Sequence, residues 1–288
     1  MASVGLIGLG IMGSAYSRNL IANGVDVLGV DPSPEARQRL ADLGGTPHEA
    51  MGQWLAECDL VILALLSPSV MRDVCGQLSE LLNPGQVVLE TGTFALEDKL
   101  AAFQMLADRD IHLLDCPVSG TGAQAKDGDI LMMASGDPDA IAHARPYMAH
   151  FTKNVMQAGA FGMGSRMKYV ANHAVALHNA AAAETLAYAD ALGLDRAATY
   201  EMLSTGAGQS RMSDLRMPLM ISGNYEPPTA TLKMFAKDLA VIGDDLRRLG
   251  LDAPLFAAVD DLYKSASASM PETYDTASVF EVYGKNRS

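Results

Sequence analysis

The chain has 288 residues, enough for one large and one smaller domain, and 49% of them are hydrophobic, enough for a full core. Its 34 Asp and Glu outnumber 21 Lys and Arg, a formal charge of −13 that repels nucleic-acid phosphates and anionic lipid, so a small anionic substrate needs a local positive patch. Cys58, Cys75 and Cys116 lie far apart without zinc-ligand or disulfide spacing, no metal site is expected, and no leader-like or membrane-length apolar run occurs, so the reading is a cytoplasmic protein.

In chain order, Val4–Ile7, Val25–Val30, Leu60–Leu65, Val87–Glu90, His112–Val118 and Ile130–Ala134 read as strands rich in Val, Ile and Leu. Helical patterns lie between them, at Met12–Asn23, Pro34–Leu43, Ser69–Leu82 and Leu96–Asp108. Strands apolar on both faces that alternate with helices predict a doubly wound parallel sheet. After Gly159 the pattern changes. Ser165–Leu192 has no proline and is crowded with alanine, which predicts one helix of roughly 28 residues, about 42 Å long. Its alanines lie on every face, so it is expected to pack between domains or subunits. More helices follow, broken near Gly206–Gly208, Gly223–Pro228, Gly250–Pro254 and Pro271. The expected fold is therefore α/β: a Rossmann-type doubly wound sheet over 1–161 and an all-helical domain over 162–288, joined by the long helix.

Gly8, Gly10 and Gly13 spell G-x-G-x-x-G after the first strand and at the mouth of a helix, with Leu9, Ile11 and Met12 between them. The first glycine permits the tight turn, the second lets backbone approach a pyrophosphate, and the third allows close helix–strand packing. Helix N-terminal amides then favour the phosphate charge. Asp31 stands at the end of the second strand, where a ribose-binding acid belongs, although it could instead cap the helix that follows. Its carboxylate would repel a 2′-phosphate and no arginine directly follows it, so NAD is expected rather than NADP.

Four separated segments resemble the β-hydroxyacid dehydrogenase family, which includes 3-hydroxyisobutyrate dehydrogenases and tartronate semialdehyde reductases. They are Gly8-Leu-Gly-Ile-Met-Gly13 with Asn19-Leu20, then Asp115-Cys-Pro-Val-Ser-Gly-Thr-Gly-Ala-Gln-Ala-Lys-Asp-Gly128, then Gly162-Met-Gly-Ser-Arg-Met-Lys168 with Asn172, and Lys237-Asp238-Leu239. The resemblance implies, in that order, a cofactor loop, a substrate-binding segment, a catalytic segment and a cofactor-side motif. Two positions depart from the family pattern: Thr121 follows Ser119-Gly120 where a second glycine is usual, and Ala171 replaces the first of two asparagines.

Oxidising a hydroxyl by hydride transfer leaves a proton to be removed, which requires a base beside the hydroxyl. Lys168 is the candidate, and Asn172, four residues on, shares its helix face and could orient the lysine and bond the substrate oxygen. Burial and a positive nicotinamide ring would both disfavour the ammonium. The backbone N–H groups of Ser119, Gly120 and Thr121 could clasp a substrate carboxylate, with the hydroxyls adding donors. The resemblance further implies that Lys237 lies near the nicotinamide and that Thr93 contacts its ribose, a helix cap being the alternative for Thr93. Met12 is expected in the core, Asp238 in a structural ion pair, and His173 and His178 as packing or surface residues.

The function expected is reversible transfer of a hydride between NAD and a three- or four-carbon β-hydroxy acid or its semialdehyde. The alternatives are oxidative decarboxylation, as in 6-phosphogluconate dehydrogenases, and a dinucleotide sensor without catalysis. The chain is short for the large helical domain of the first, and Lys168 with Asn172 argues against the second. The resemblance implies a homodimer or homotetramer.

Overall fold

The computed structural model describes residues 2–284; Met1 and residues 285–288, which the sequence reading includes in its two domains, lie outside the described residues. The chain begins β1 (Ser3–Ile7), α1 (Ile11–Ala22), β2 (Asp26–Val30), α2 (Pro34–Asp42), β3 (Thr46–His48), β4 (Leu60–Leu63), α3 (Pro68–Leu81), β5 (Val87–Glu90) and α4 (Leu96–Ala107). It continues through β6 (His112–Asp115), β7 (Val118–Ser119), α5 (Gly122–Lys126), β8 (Leu131–Ser135), α6 (Pro138–Phe151) and β9 (Asn154–Gly159). Helices then take over: α7 (Met163–Ala191), α8 (Arg196–Thr205), α9 (Arg211–Ser222), α10 (Leu232–Leu249), α11 (Pro254–Ser269) and the short α12 (Glu281–Gly284). Two compact units result, Met1–Lys168 and Tyr169–Ser288, and the division falls inside α7.

In the first unit the strands form one sheet in the order β3-β2-β1-β4-β5-β6-β8-β7, with β9 on β8. Side chains alternate between two cores. Leu60, Ile62, Val87 and Leu89 enter the one shared with α1 and α6, whereas Val61, Leu63 and Val88 enter the one under α3 and α4. Both faces are thus covered by helices, as parallel strands require.

The sheet is not parallel throughout. From β3 to β6 every pairing is parallel, but β8 runs antiparallel to both β6 and β7. Only the five-residue α5 and its flanks separate β7 from β8, too little chain for a parallel crossover. The single strand expected over His112–Val118 is likewise two strands. Pro117 has no N–H to give a ladder, so β6 ends at Asp115 and β7 starts at Val118.

The second unit is helical and has its own core, in which Ala176, Ala183 and Leu186 of α7 meet Leu232, Phe235, Leu239 and Ile242 of α10 and Phe256 and Tyr263 of α11. The glycine and proline breaks fall between helices as expected. Gly223 and Gly250 take left-handed C-cap positions, and Ser210 and Thr231 cap the next starts through their hydroxyls. At 29 residues, α7 begins two residues before its expected start.

Candidate active site

The three loop glycines meet different demands. Gly8 has φ +94°, and a Cβ there would also strike the Ala64 carbonyl oxygen; a Cβ on Gly13 would strike the Gly8 carbonyl oxygen. Both glycines are needed by the fold itself. Gly10 has nothing within 4 Å of a built Cβ, and its φ of −68° is open to any residue. The fold itself makes no demand for glycine there. Gly10 is the N-cap of α1 and offers no side chain to the first amides, which leaves them for an anion.

Ile11, beside Gly10, is 64% exposed, whereas Met12 packs against the core and the side chain of Leu9 is buried. Leu9 meets the site through its backbone: its N–H donates to Asp31 Oδ2 at 2.7 Å. Asp31 Oδ1 accepts from Ser33 N–H at 2.8 Å, and it is Ser33, not Asp31, that caps α2 by accepting from Ala36 N–H. The capping alternative for Asp31 therefore gives way. Arg37 spends one nitrogen on the Asp31 and Pro32 carbonyls, at 2.8 and 3.1 Å. An open helix N-terminus, a cradle at Gly10 and an acid at the end of β2 fit the pyrophosphate and ribose of a dinucleotide. Thr93 follows β5; the N-cap of α4 is Ala95, so the cap alternative for Thr93 also falls.

Ser119 lies in β7, opposite Leu131 of β8. The turn after it runs beside the cofactor loop, since a Cβ on Gly122 would lie 2.5 Å from Ile11 Cγ2. Thr121 is committed elsewhere: its N–H donates to Gln124 Oε1 at 3.0 Å and its hydroxyl accepts from Gln124 N–H, a capping box for α5. Of the clasp expected from the sequence, the Ser119 hydroxyl and the exposed Gly120 backbone lie outside that box.

Lys168 and Asn172 lie one turn apart on α7, and Lys168 is half-buried. Asn172 is buried, and its Nδ2 donates to Asp238 Oδ2 at 2.8 Å. Lys237 Nζ lies 2.9 Å from Asp238 Oδ1. Three expected residues thus form one cluster between α7 and α10, in which Asp238 fixes the Asn172 amide. His173 stacks on Phe256, ring centroids 5.2 Å apart, and His178 is exposed.

The sequence reading missed a fully buried charge cluster. Lys99 Nζ reaches Glu90 Oε2 and Asp115 Oδ1, each at 2.6 Å, and all three side chains are 0% exposed. Asp115 Oδ2 accepts from Ser165 N–H at 2.7 Å and from the Ser135 hydroxyl at 3.1 Å, and Oδ1 accepts from the Ser165 hydroxyl at 2.8 Å. Burial opposes charge on Lys99, but Asp115 and Glu90 overcome it and hold the ammonium above its ordinary range. Burial pushes the Glu90 carboxyl up against the pull of Lys99. A signal existed: Lys99 stands in the inward stripe Leu96, Lys99, Ala102, Leu106 of α4, where lysine is out of place.

The fold and this site define a dinucleotide-binding oxidoreductase. Residues 3–159 match the family model described as the NAD binding domain of 6-phosphogluconate dehydrogenase, and residues 162–283 match the NAD-binding model of NADP-dependent 3-hydroxyisobutyrate dehydrogenase. An L-threonate dehydrogenase from Cupriavidus necator is 31% identical over 98% of this chain and 96% of its own. A 3-sulfolactaldehyde reductase from Escherichia coli is 28% identical over 98% of this chain and 95% of its own. Among solved structures, Mycobacterium tuberculosis 3-hydroxyisobutyrate dehydrogenase with L-serine superposes with a TM-score of 0.91 at 25% identity, covering 100% of both chains. The chain belongs to the β-hydroxyacid dehydrogenase family, 3-hydroxyisobutyrate dehydrogenase-like. It is an NAD(P)-dependent oxidoreductase of a family that acts on small hydroxy acids and semialdehydes. Among the described residues no helix is long and apolar enough to cross a membrane.

Proposed function

We propose that this enzyme reversibly oxidises a four-carbon hydroxy acid of the threonate type, with Lys168 as the acid–base group. The observation that carries the reading is the pairing of Lys168 and Asn172 at helical spacing, with the Asn172 amide fixed by Asp238. In oxidation Lys168 Nζ takes the proton of the reacting hydroxyl, and in reduction it returns that proton to the carbonyl oxygen. Asn172 orients the lysine and the reacting oxygen. The Ser119 hydroxyl and Gly120 N–H hold the substrate carboxylate, Thr121 shapes that turn from its capping box, and Lys237, ion-paired with Asp238, is the cation assigned to the cofactor side.

The cofactor, when bound, supplies the hydride acceptor or donor. Gly8, Gly10 and Gly13, with the Leu9 backbone, Ile11 and Met12, shape its pyrophosphate loop, Asp31 holds the adenosine ribose and Thr93 the nicotinamide ribose. NAD is the proposed partner rather than NADP, because the Asp31 carboxylate repels a 2′-phosphate and Arg37 is occupied by main-chain carbonyls. Domain limits of 1–161 and 162–288 belong to the same proposal. So does a homodimer or homotetramer, supported by Tyr188, Leu192, Leu194 and Met202, all exposed apolar residues of the second unit. A cytoplasmic setting is supported by three free, buried cysteines.

The test is a screen of small hydroxy acids, semialdehydes and sulfonate analogues, followed by NADH absorbance with NAD and NADP in parallel. Turnover of a four-carbon hydroxy acid, faster with NAD and without release of carbon dioxide, is the expected result. Carbon dioxide release would move the enzyme to the decarboxylase class, and no turnover of any hydroxy acid or semialdehyde would end the reading.

A further inference from the structure

Helix α7 starts without a local cap. Gly162 precedes it and carries no side chain, yet the first-turn amides lie buried inside the first unit. Two of them find their partners on distant strands. Gly164 N–H donates to the Ser135 hydroxyl at 2.9 Å, and Ser165 N–H donates to Asp115 Oδ2 at 2.7 Å. A carboxylate at a helix N-terminus also meets the positive end of the macrodipole. Asp115 therefore plays the part of an N-cap from the end of β6, fifty residues upstream.

The same carboxylate is tied into the Lys99 cluster, and that cluster reaches another loop. Lys99 Nζ donates to the Gly92 carbonyl at 2.7 Å, and Gly92 N–H donates to Glu90 Oε1 at 2.7 Å, which pins the turn that carries Thr93. Asp115 also begins the run into Pro117 and Ser119. Beyond Ser165, Lys168 lies three residues on, about 4.5 Å along the helix axis. Two carboxylates and one ammonium, none of them exposed, are costly to bury, and hydrophobic side chains of similar volume would stabilise the fold as well or better. What a hydrophobic cluster could not do is donate to and accept from three separate segments at fixed angles.

We propose that Asp115 and Ser165 are positioning residues that aim Lys168, with Lys99 as the node that joins this helix start to the Thr93 turn and to the strand feeding Ser119. The inference rests on the reading of Lys168 as the acid–base group. No residue of the node touches substrate; its effect runs through the placement of α7.

Ser165→Ala tests it with the smallest change, removing one hydroxyl bond to Asp115 and keeping the backbone bond. Expected are a kcat at least about ten-fold lower, NADH affinity by fluorescence titration within two-fold of wild type, a displaced pH profile of kcat, and faster amide exchange in the first turns of α7. Ile141→Val, which removes a buried methyl group of α6 and no bond of the node, is the control for lost stability and keeps kcat within two-fold. Asp115→Asn keeps the shape and removes the charge, and its kcat falls further. If Ser165→Ala keeps wild-type kcat and exchange, or if Ile141→Val loses as much kcat, the proposal is overturned. If Asp115→Asn does not fold, Ser165→Ala decides alone. Lys168→Ala is run alongside: near-normal turnover there ends the acid–base reading, whereas full kcat in Ser165→Ala beside an inactive Lys168→Ala ends only the positioning.

Discussion

Single residues separate what the fold demands from what a ligand demands, and the glycine loop is the clearest case. A methyl group on Gly10 meets no atom of the chain and suits its backbone angles, whereas one on Gly13 meets the Gly8 carbonyl oxygen. Gly10→Ala is therefore expected to leave Tm within about 1 °C of wild type, as an unstrained exposed change does, and to weaken NADH binding at least about ten-fold. Gly13→Ala is expected to lower Tm itself. Differential scanning fluorimetry and NADH titration check both, and unaltered NADH affinity in Gly10→Ala would remove that glycine from the cofactor cradle. The glycines, Asp31, Lys168 and Asn172 could be named as candidates because the chemistry proposed for them is tied to fixed spacing along the chain. Lys99, Glu90, Ser135 and Ser165 were not, because their meaning lies in contacts 9 to 50 residues apart that no local pattern encodes.

At the scale of elements, periodicity and breakers carried most of the information. Strands such as Leu60–Leu63, apolar on both faces, and the alanine-rich α7 were readable for that reason. The short β3, β7, α5 and β9 were not, since two to six residues hold too little periodicity and take their structure from their neighbours. The start of α7 shows how an element and a site meet. A Cβ on Gly164 would lie 2.8 Å from the Asp115 carbonyl oxygen and collide with that of Met133. Gly164→Ala therefore has to lift the helix from β6 and β8. Such overpacking costs about 1–3 kcal/mol, and the displacement is expected to reduce kcat at least about ten-fold. A crystal structure with kinetics checks this; an unmoved helix with full activity would show that the close approach has no bearing on the site.

The whole molecule joins an α/β unit that bears a dinucleotide loop to a helical unit that bears the Asn172–Asp238–Lys237 cluster, and its titration behaviour follows from what it buries. Burial, with Asp59 and Glu57 nearby, raises the Cys58 thiol to about 11, and burial with Glu90 raises Cys75 to about 12. Lys99 is also held above its ordinary range. Each group binds its proton more tightly folded than unfolded. Their stabilisation is complete below the unfolded values, about 8.5 for thiols and about 10.4 for lysine, and is lost as pH climbs through the folded ones. Tm is thus expected to change little between about pH 7 and 8 and to fall steadily above about pH 9. A Tm that held steady to about pH 11 would contradict that burial.

The proposed reaction rests on one amine that handles the proton while the rest of the site holds cofactor and acid in place. Its most direct measurement is kcat and NADH affinity of Lys168→Ala on the best substrate from the screen. General acid–base groups contribute about 10²- to 10⁴-fold, so kcat is expected to fall by that much while NADH binds as in wild type. A Lys168→Ala enzyme with near-normal kcat would contradict the account.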